Sequence, residues 1–184
     1  MSNNRWDWLS GQLLFQRGSR DDYLQLERFH YVPKRPAIWA GVWRVVYLNE
    51  HTAEARVVAV GVLSYPVPSC IARERALRLP RARYDPKKIR WLNANLRTIS
   101  RIIIHPQFRG VGLASELVRC ICNDSTVRYI EAMATMAKVV PFFARAGMKR
   151  AGESNQGAIY YLWERKGGNH GKEKQQGQAF HHTV

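Results

Sequence analysis

The stretch that most constrains this chain runs from Ile102 to Cys122, IIIHPQFRGVGLASELVRCIC: a β-branched run, a proline, an arginine and two closely spaced glycines, then an apolar pattern at helical spacing. A strand that turns tightly into a helix leaves the first helical N–H groups unpaired at the turn, where the helix dipole adds positive potential. Such a turn predicts a phosphate site. The run VRYIEAMAT follows the helix, and the strand, helix, strand order predicts a parallel strand pair with a right-handed crossover. Two common nucleotide motifs fail on particular residues. A P-loop needs Lys-Ser/Thr after its second glycine, where Leu113 and Ala114 stand. A dinucleotide fingerprint needs Gly or Ala where Ser115 stands, and no acidic residue is suitably placed for a ribose.

The remaining elements follow from patterning. GQLLFQR predicts a strand, and SRDDYLQLERFH a helix with Ser19 as N-cap and Asp21 and Asp22 in its first turn. IWAGVWRVVYLN and ARVVAVGVLSYP predict a long antiparallel hairpin. A helix from about Ser69 to Leu79 is expected to end at Pro80, AKVVPFFARAG to form a short helix closed by Gly147, and AIYYLWER to form the last strand. From Lys166 onward the chain is glycine, glutamine and charge, which predicts a mobile polar tail over 166–184. With 184 residues, 46% of them hydrophobic, the rest suits a single core and hence one domain over 1–165.

Charge is the second constraint. The 29 Lys and Arg against 14 Asp and Glu give a formal charge of +15, concentrated in an insert at about 67–97. Such a field attracts polyanions. Arg73, Arg78, Arg81, Arg83, Lys87, Lys88, Arg90 and Arg97 are the candidate substrate contacts, and Tyr84 and Trp91 interleave with them in a pattern suited to base stacking beside phosphates. The same stripe also reads as a solvated helix face. A cationic small amine would want an acceptor cleft lined with carboxylates, which this composition disfavours. Cys120 and Cys122 sit two apart on a helix and so point to different sides. With Cys70 they read as buried thiols, and no Cys/His cluster has metal-ligand spacing. No run of about 18 to 20 uncharged apolar residues suggests a membrane span, and MSNNRWDWLSG lacks the apolar core of a signal peptide. A soluble, cytoplasmic protein is expected.

Arg109, Gly112 and Ala114 at R-x-x-G-x-A spacing, after a strand ending in His105-Pro106, resemble the phosphate-binding motif of the GNAT superfamily of acetyl-CoA-dependent N-acetyltransferases. VVPFFARAGMKRAG resembles the later A-x-x-F-Y-x-x-x-G-F segment of that family, so the likeness covers roughly residues 98–163. It implies an α/β (α+β) fold: a mixed, mostly antiparallel sheet flanked by helices, with a splayed parallel strand pair at the cofactor site. It implies acetyl-CoA or another acyl-CoA as cofactor, held by Ile103, Ile104, His105, Arg109, Gly110, Val111, Gly112, Leu113, Ala114 and Phe143. Phe143 stands where many members carry a tyrosine that protonates the departing thiolate. Glu131 is the carboxylate placed to act as general base, or else a salt-bridge partner of Arg128 or a neighbour. His30 and Tyr31 lie where the first helix of the family leads into substrate-binding structure. Three functions stay open: an N-acyltransferase acting on DNA, transfer RNA or another nucleic acid-linked amine, a DNA adenine-modifying enzyme resembling the phage Mom proteins, and a non-catalytic nucleic acid-binding protein of the same fold.

Overall fold

The computed structural model describes residues 11–30, 38–82, 84–135, 140–154 and 156–165, and the backbone of 180–181. β1 (Gly11–Arg17) leads into α1 (Arg20–Leu26), whose start is fixed by a capping box. The Ser19 hydroxyl accepts from the Asp22 amide at 3.3 Å, and the Asp22 carboxylate accepts from the Ser19 amide at 2.6 Å. A 3₁₀ turn, Glu27–Phe29, ends this helix. β2 (Trp39–Asn49) and β3 (Ala55–Ser64) form the expected hairpin.

The basic insert carries two short helices. α2 spans only Ile71–Ala76, shorter than the expected 69–79, because the backbone at Arg78 turns to φ +52 before Pro80 is reached. α3 (Pro86–Asn95) is capped by Asp85, whose carboxylate accepts from the Lys87 amide at 2.9 Å. It runs directly into β4 (Leu96–Ile104). Then come α4 (Leu113–Asp124), β5 (Tyr129–Ala134), α5 (Phe142–Arg145), β6 (Lys149–Glu153) and β7 (Ile159–Glu164). Of the segment expected to be a polar tail, only the backbone of β8 (Phe180–His181) is described, antiparallel to Leu14–Phe15. Among the described residues no helix is long and apolar enough to cross a membrane.

One sheet unites the strands in the order β6-β7-β5-β4-β3-β2-β1-β8. Every neighbouring pair is antiparallel except β4 with β5, the parallel pair joined through α4. α4 covers one face, burying Leu113, Leu117, Val118 and Ile121 against the sheet. Each such side chain contributes about 1.5–3 kcal/mol by leaving water. Approach is so close at Gly61 that a β-carbon there would stand 2.5 Å from the Ile121 side chain. α1 covers the other face, where Tyr23 and Leu26 pack with Val60, Val62 and Ile103.

Two irregularities of β4 prepare the site. The first is a bulge: Leu63 pairs with Ile99 and Val62 with Arg101, leaving Ser100 as the extra residue. Side-chain alternation therefore changes faces there. Ile99 packs with the α4 core, and beyond the bulge Ile102 and Ile104 do so, while Ile103 joins the α1 side. The second is a fork. Pairing of β4 with β5 covers only Leu96–Thr98 against Tyr129–Glu131, after which β4 continues beside β3 to Ile104 and β5 beside β7 to Ala134. The sheet opens between its two central strands, as the GNAT resemblance implies.

Candidate cofactor and acceptor site

On the α4 face of the fork lies the turn from His105 to Gly112. Pro106–Phe108 form a single 3₁₀ turn, and Gly110 (φ +84) and Gly112 (φ +89) both take the left-handed conformation that disfavours side chains. Gly112 is the N-cap of the twelve-residue α4. Among the described residues, the amides of Gly110, Gly112, Leu113 and Ala114 donate to no backbone carbonyl. A β-carbon at Gly110 would meet nothing within 4 Å, so the turn is open to approach from outside. These are the properties of an anion cradle at a helix start. Exposed Arg109 brings charge to its rim, its guanidinium tied to the backbone: Nε donates to the Ile104 carbonyl and Nη2 to the Phe29 carbonyl, each at 3.0 Å. It thus ties the 3₁₀ turn after α1 to the end of β4.

His105 is buried at this turn, its Nδ1 facing the Gln107 amide at 3.4 Å and its Nε2 facing Arg56. Burial, then the charges of Arg56, Arg28 and Arg109, push its pKa down, so the imidazole is held neutral. Phe143 is buried in the α4-side core, its ring centroid 4.3 Å from that of Phe142 and 5.6 Å from that of Tyr161. His30 closes the 3₁₀ turn after α1, beside the carbonyl held by Arg109. Tyr31 and Arg83 lie outside the described residues.

On the opposite face of the fork the sequence-predicted residues meet unexpected partners. Glu131 accepts four hydrogen bonds: from Arg73 Nε and Nη2 at 2.9 Å each, from the Thr98 hydroxyl at 2.6 Å and from the Tyr160 hydroxyl at 2.9 Å. Glu131 is 3% exposed and Arg73 is 1% exposed, so this is a buried, bidentate pair. Arg128 pairs instead with Glu164. Thr98 and Glu131 are the last residues paired between β4 and β5, which puts the cluster at the crotch of the fork. Burial, then the neighbouring Glu131 carboxylate, drives the Tyr160 hydroxyl far above its ordinary pKa and fixes it as a donor.

The same burial corrects the candidate contact surface. Arg73 and Lys88 do not face a polyanion: Lys88 is buried, with Nζ bonded to Glu74 at 2.5 Å and to the Ala82 carbonyl at 3.1 Å. Burial raises the Glu74 pKa, but Lys88 and Ser69 outweigh it and hold the carboxyl below the usual range. Arg78, Arg81, Lys87 and Arg90 remain exposed. Arg97 is half-buried, with its guanidinium 4.2 Å from the Tyr65 ring centroid. Burial pushes Cys120 up to about 11 and Cys122 up to about 12, which makes them inert thiols. Among the described residues no group of three or more His, Cys, Asp or Glu side chains is gathered to hold a metal.

No family model matches the chain, and no curated protein matches it by sequence. Solved structures do match. A chain of the NatC complex bound to Gag peptide and CoA aligns at a TM-score of 0.54 and 11% identity, over 84% of this chain and 99% of that one. The ribosomal-protein-S18-alanine N-acetyltransferase of Escherichia coli aligns at 0.50 and 10% identity, over 88% and 99%. A GNAT family N-acetyltransferase of Escherichia coli in complex with CoA aligns at 0.50 and 11% identity, over 84% and 82%. The fold is that of the GNAT N-acetyltransferases.

Proposed function

We propose that this protein is a coenzyme A-dependent N-acyltransferase whose acceptor is an amine on a nucleic acid. The observation that carries the reading is the juxtaposition, in one fork, of an open amide cradle at the head of α4 with a cleft on the opposite face of the sheet. Acetyl-CoA, or another acyl-CoA, supplies an activated thioester. The amides of Gly110, Gly112, Leu113 and Ala114 would hold its pyrophosphate, with the Arg109 charge at the rim. Beyond Thr98 the edge of β4 that faces the fork pairs with no strand among the described residues, which leaves Ile103, Ile104 and their neighbours able to bond an extended pantetheine arm. Matching folds come from proteins solved with CoA. The nucleic acid half of the reading rests on the +15 charge and on the exposed Arg78, Arg81, Lys87 and Arg90 of the insert, whose Tyr84 lines the extension of the cleft.

Glu131 is a positioning residue in this reading, since both its oxygens are engaged by Arg73, Thr98 and Tyr160. A second reading, a nucleic acid base-modifying enzyme with different transfer chemistry, is favoured by Phe143, which has no proton to give.

The test is thermal. Acetyl-CoA is expected to raise the melting temperature of the protein by mass action. Gly110→Asp places a carboxylate in the open space at the cradle and tolerates positive φ, so it should abolish the shift, and Gly110→Asn should retain it. A carboxylate variant stabilised as well as the wild type would refute the cradle. Nucleic acid that gains mass with no thiol released from acyl-CoA would select the second reading.

A further inference from the structure

The insert side of the fork is apolar at its mouth and polar at its floor. A cleft of about 490 Å³ opens over Thr98, Ser100, Glu131 and Tyr160 and continues past Val67 and Met133 into a second of about 650 Å³ along the start of α2. Of the eight exposed large hydrophobic side chains among the described residues, six line these two clefts: Ile38, Tyr65, Val67, Ile71, Tyr84 and Met133. That concentration marks a binding surface. Its floor offers hydroxyls: Ser64 and Ser100 are bonded to one another at 2.7 Å, and Ser100 donates to the Val62 carbonyl at 3.2 Å.

The carboxylates here are already matched. Glu131 is held by Arg73, Thr98 and Tyr160, and Glu153, at the far end, pairs with Arg150. An alkyl amine, with a pKa near that of lysine at about 10.4, would arrive as a cation. It would meet an Arg73–Glu131 pair whose charges offset one another, apolar walls and no free carboxylate, and it would have to shed a proton before it could attack. An aromatic amine is neutral at pH 7 and flat. Exposed Tyr65, backed by the Arg97 guanidinium, offers its ring a stacking partner.

From this we infer that the acceptor is the exocyclic amine of a nucleobase, unstacked from a single strand or everted from a duplex, and seated between Tyr65 and Met133 above the Ser64–Ser100 pair. The inference rests on the proposed acyltransferase reading. It commits to nucleic acid over a free aromatic amine because the exposed basic side chains of the insert supply phosphate contacts a small molecule would not use. In the transfer a C–N bond forms from the amine nitrogen to the acyl carbon and the C–S bond of the thioester breaks. The nitrogen gives up one proton and the departing sulfur gains one, so the reaction balances without an added base.

The experiment offers acetyl-CoA with single-stranded oligo(dA), oligo(dC) and oligo(dT), a lysine-containing peptide, aminoacyl-transfer RNA and a free aromatic amine. Thiol release and product mass are followed, and strand binding is read by fluorescence anisotropy. Acylation of oligo(dA) or oligo(dC), with none of oligo(dT), is the expected result. Tyr65→Ala should weaken binding of every strand by roughly 5- to 150-fold, the worth of one stacked base. Tyr65→Phe should restore it, and neither variant should change the acetyl-CoA melting shift. Acylation only of lysine, of the aminoacyl α-amine or of the free aromatic amine would overturn the inference and leave an acyltransferase. An unchanged strand affinity in Tyr65→Ala would remove the base from this cleft. Absence of both an acetyl-CoA shift and thiol release would overturn the underlying reading as well.

Discussion

Replacing Arg73 with methionine tests whether the ion pair at the crotch of the fork holds the insert to the sheet. The change removes two hydrogen bonds of 2.9 Å to Glu131 and one of 2.7 Å to the Val67 carbonyl, and leaves a carboxylate that is 3% exposed without its cation. Breaking one side of a buried pair costs about 3–5 kcal/mol. Thr98 and Tyr160 still donate to Glu131, which places the expected cost near the lower bound, about 3 kcal/mol. For a chain of this size that lowers the melting temperature by roughly 6–12 °C. Urea unfolding of Arg73→Met, Glu131→Met and the double variant closes a thermodynamic cycle. The double variant should be less destabilised than the sum of the singles by at least about 2 kcal/mol, since an apolar pair of similar volume replaces both charges. A single Arg73→Met that costs under about 1 kcal/mol, or singles that simply add, would refute the clamp.

Gly110→Ala should cost about 1–2 kcal/mol through left-handed strain alone, measured by urea unfolding, because its β-carbon meets no neighbour. Stability should fall with acid on two accounts. His105, with its pKa pushed down by burial and three arginines, stays neutral when the unfolded chain takes up a proton, so ΔG of unfolding drops as pH falls below about 6.5. His105→Asn should flatten that segment of a pH series of denaturant titrations. Glu74, held low by Lys88 and Ser69, contributes stability present above about pH 4.5 and lost as pH falls through its folded value. Glu74→Gln should therefore destabilise at neutral pH and lose its effect in acid, once the pH has fallen below the lowered folded value of Glu74, by the same titrations.

The turn at the head of α4, proposed as the cofactor cradle, was legible because it is local. Strand, turn and helix are contiguous from Ile102 to Cys122, and left-handed turns ask for glycine wherever they occur, so Gly110 and Gly112 announce themselves. The cleft proposed for the acceptor was not, because its parts come from β3, the insert, β4, β5 and β7. Nothing in the spacing of Arg73 among Arg75, Arg78 and Arg81 tells which guanidinium turns inward; that depends on where Glu131 lies, 58 residues away. A signal did exist at the other end of the insert. Asp85-Pro86 is an N-cap followed by proline at the first helical position, the signature of a helix start, and it marks α3. Glu74, the other acid in that basic run, was equally informative: it takes Lys88 out of the surface stripe. The bulge at Ser100 left no mark on the sequence, since TISRIII alternates poorly on either face.

An ionic attachment suits this insert for a physical reason. α2 has six residues and α3 ten, too little helix to bury an apolar face broad enough to fix their position. Directional bonds do that with fewer groups. Glu131 joins α2 to β4, β5 and β7 at once, and the Glu74–Lys88 pair joins α2 to α3, so two of the 14 acidic residues set the geometry of the whole basic segment. The cost of desolvating those charges leaves the pairs near neutral in net stability, but they specify one arrangement. Both walls of the cleft then depend on them: Val67 through its carbonyl on Arg73, and Met133 through its strand neighbour Glu131. Loosening the clamp should therefore raise the KM for the acceptor before that for acetyl-CoA, whose proposed cradle is built at the head of α4 rather than on the insert.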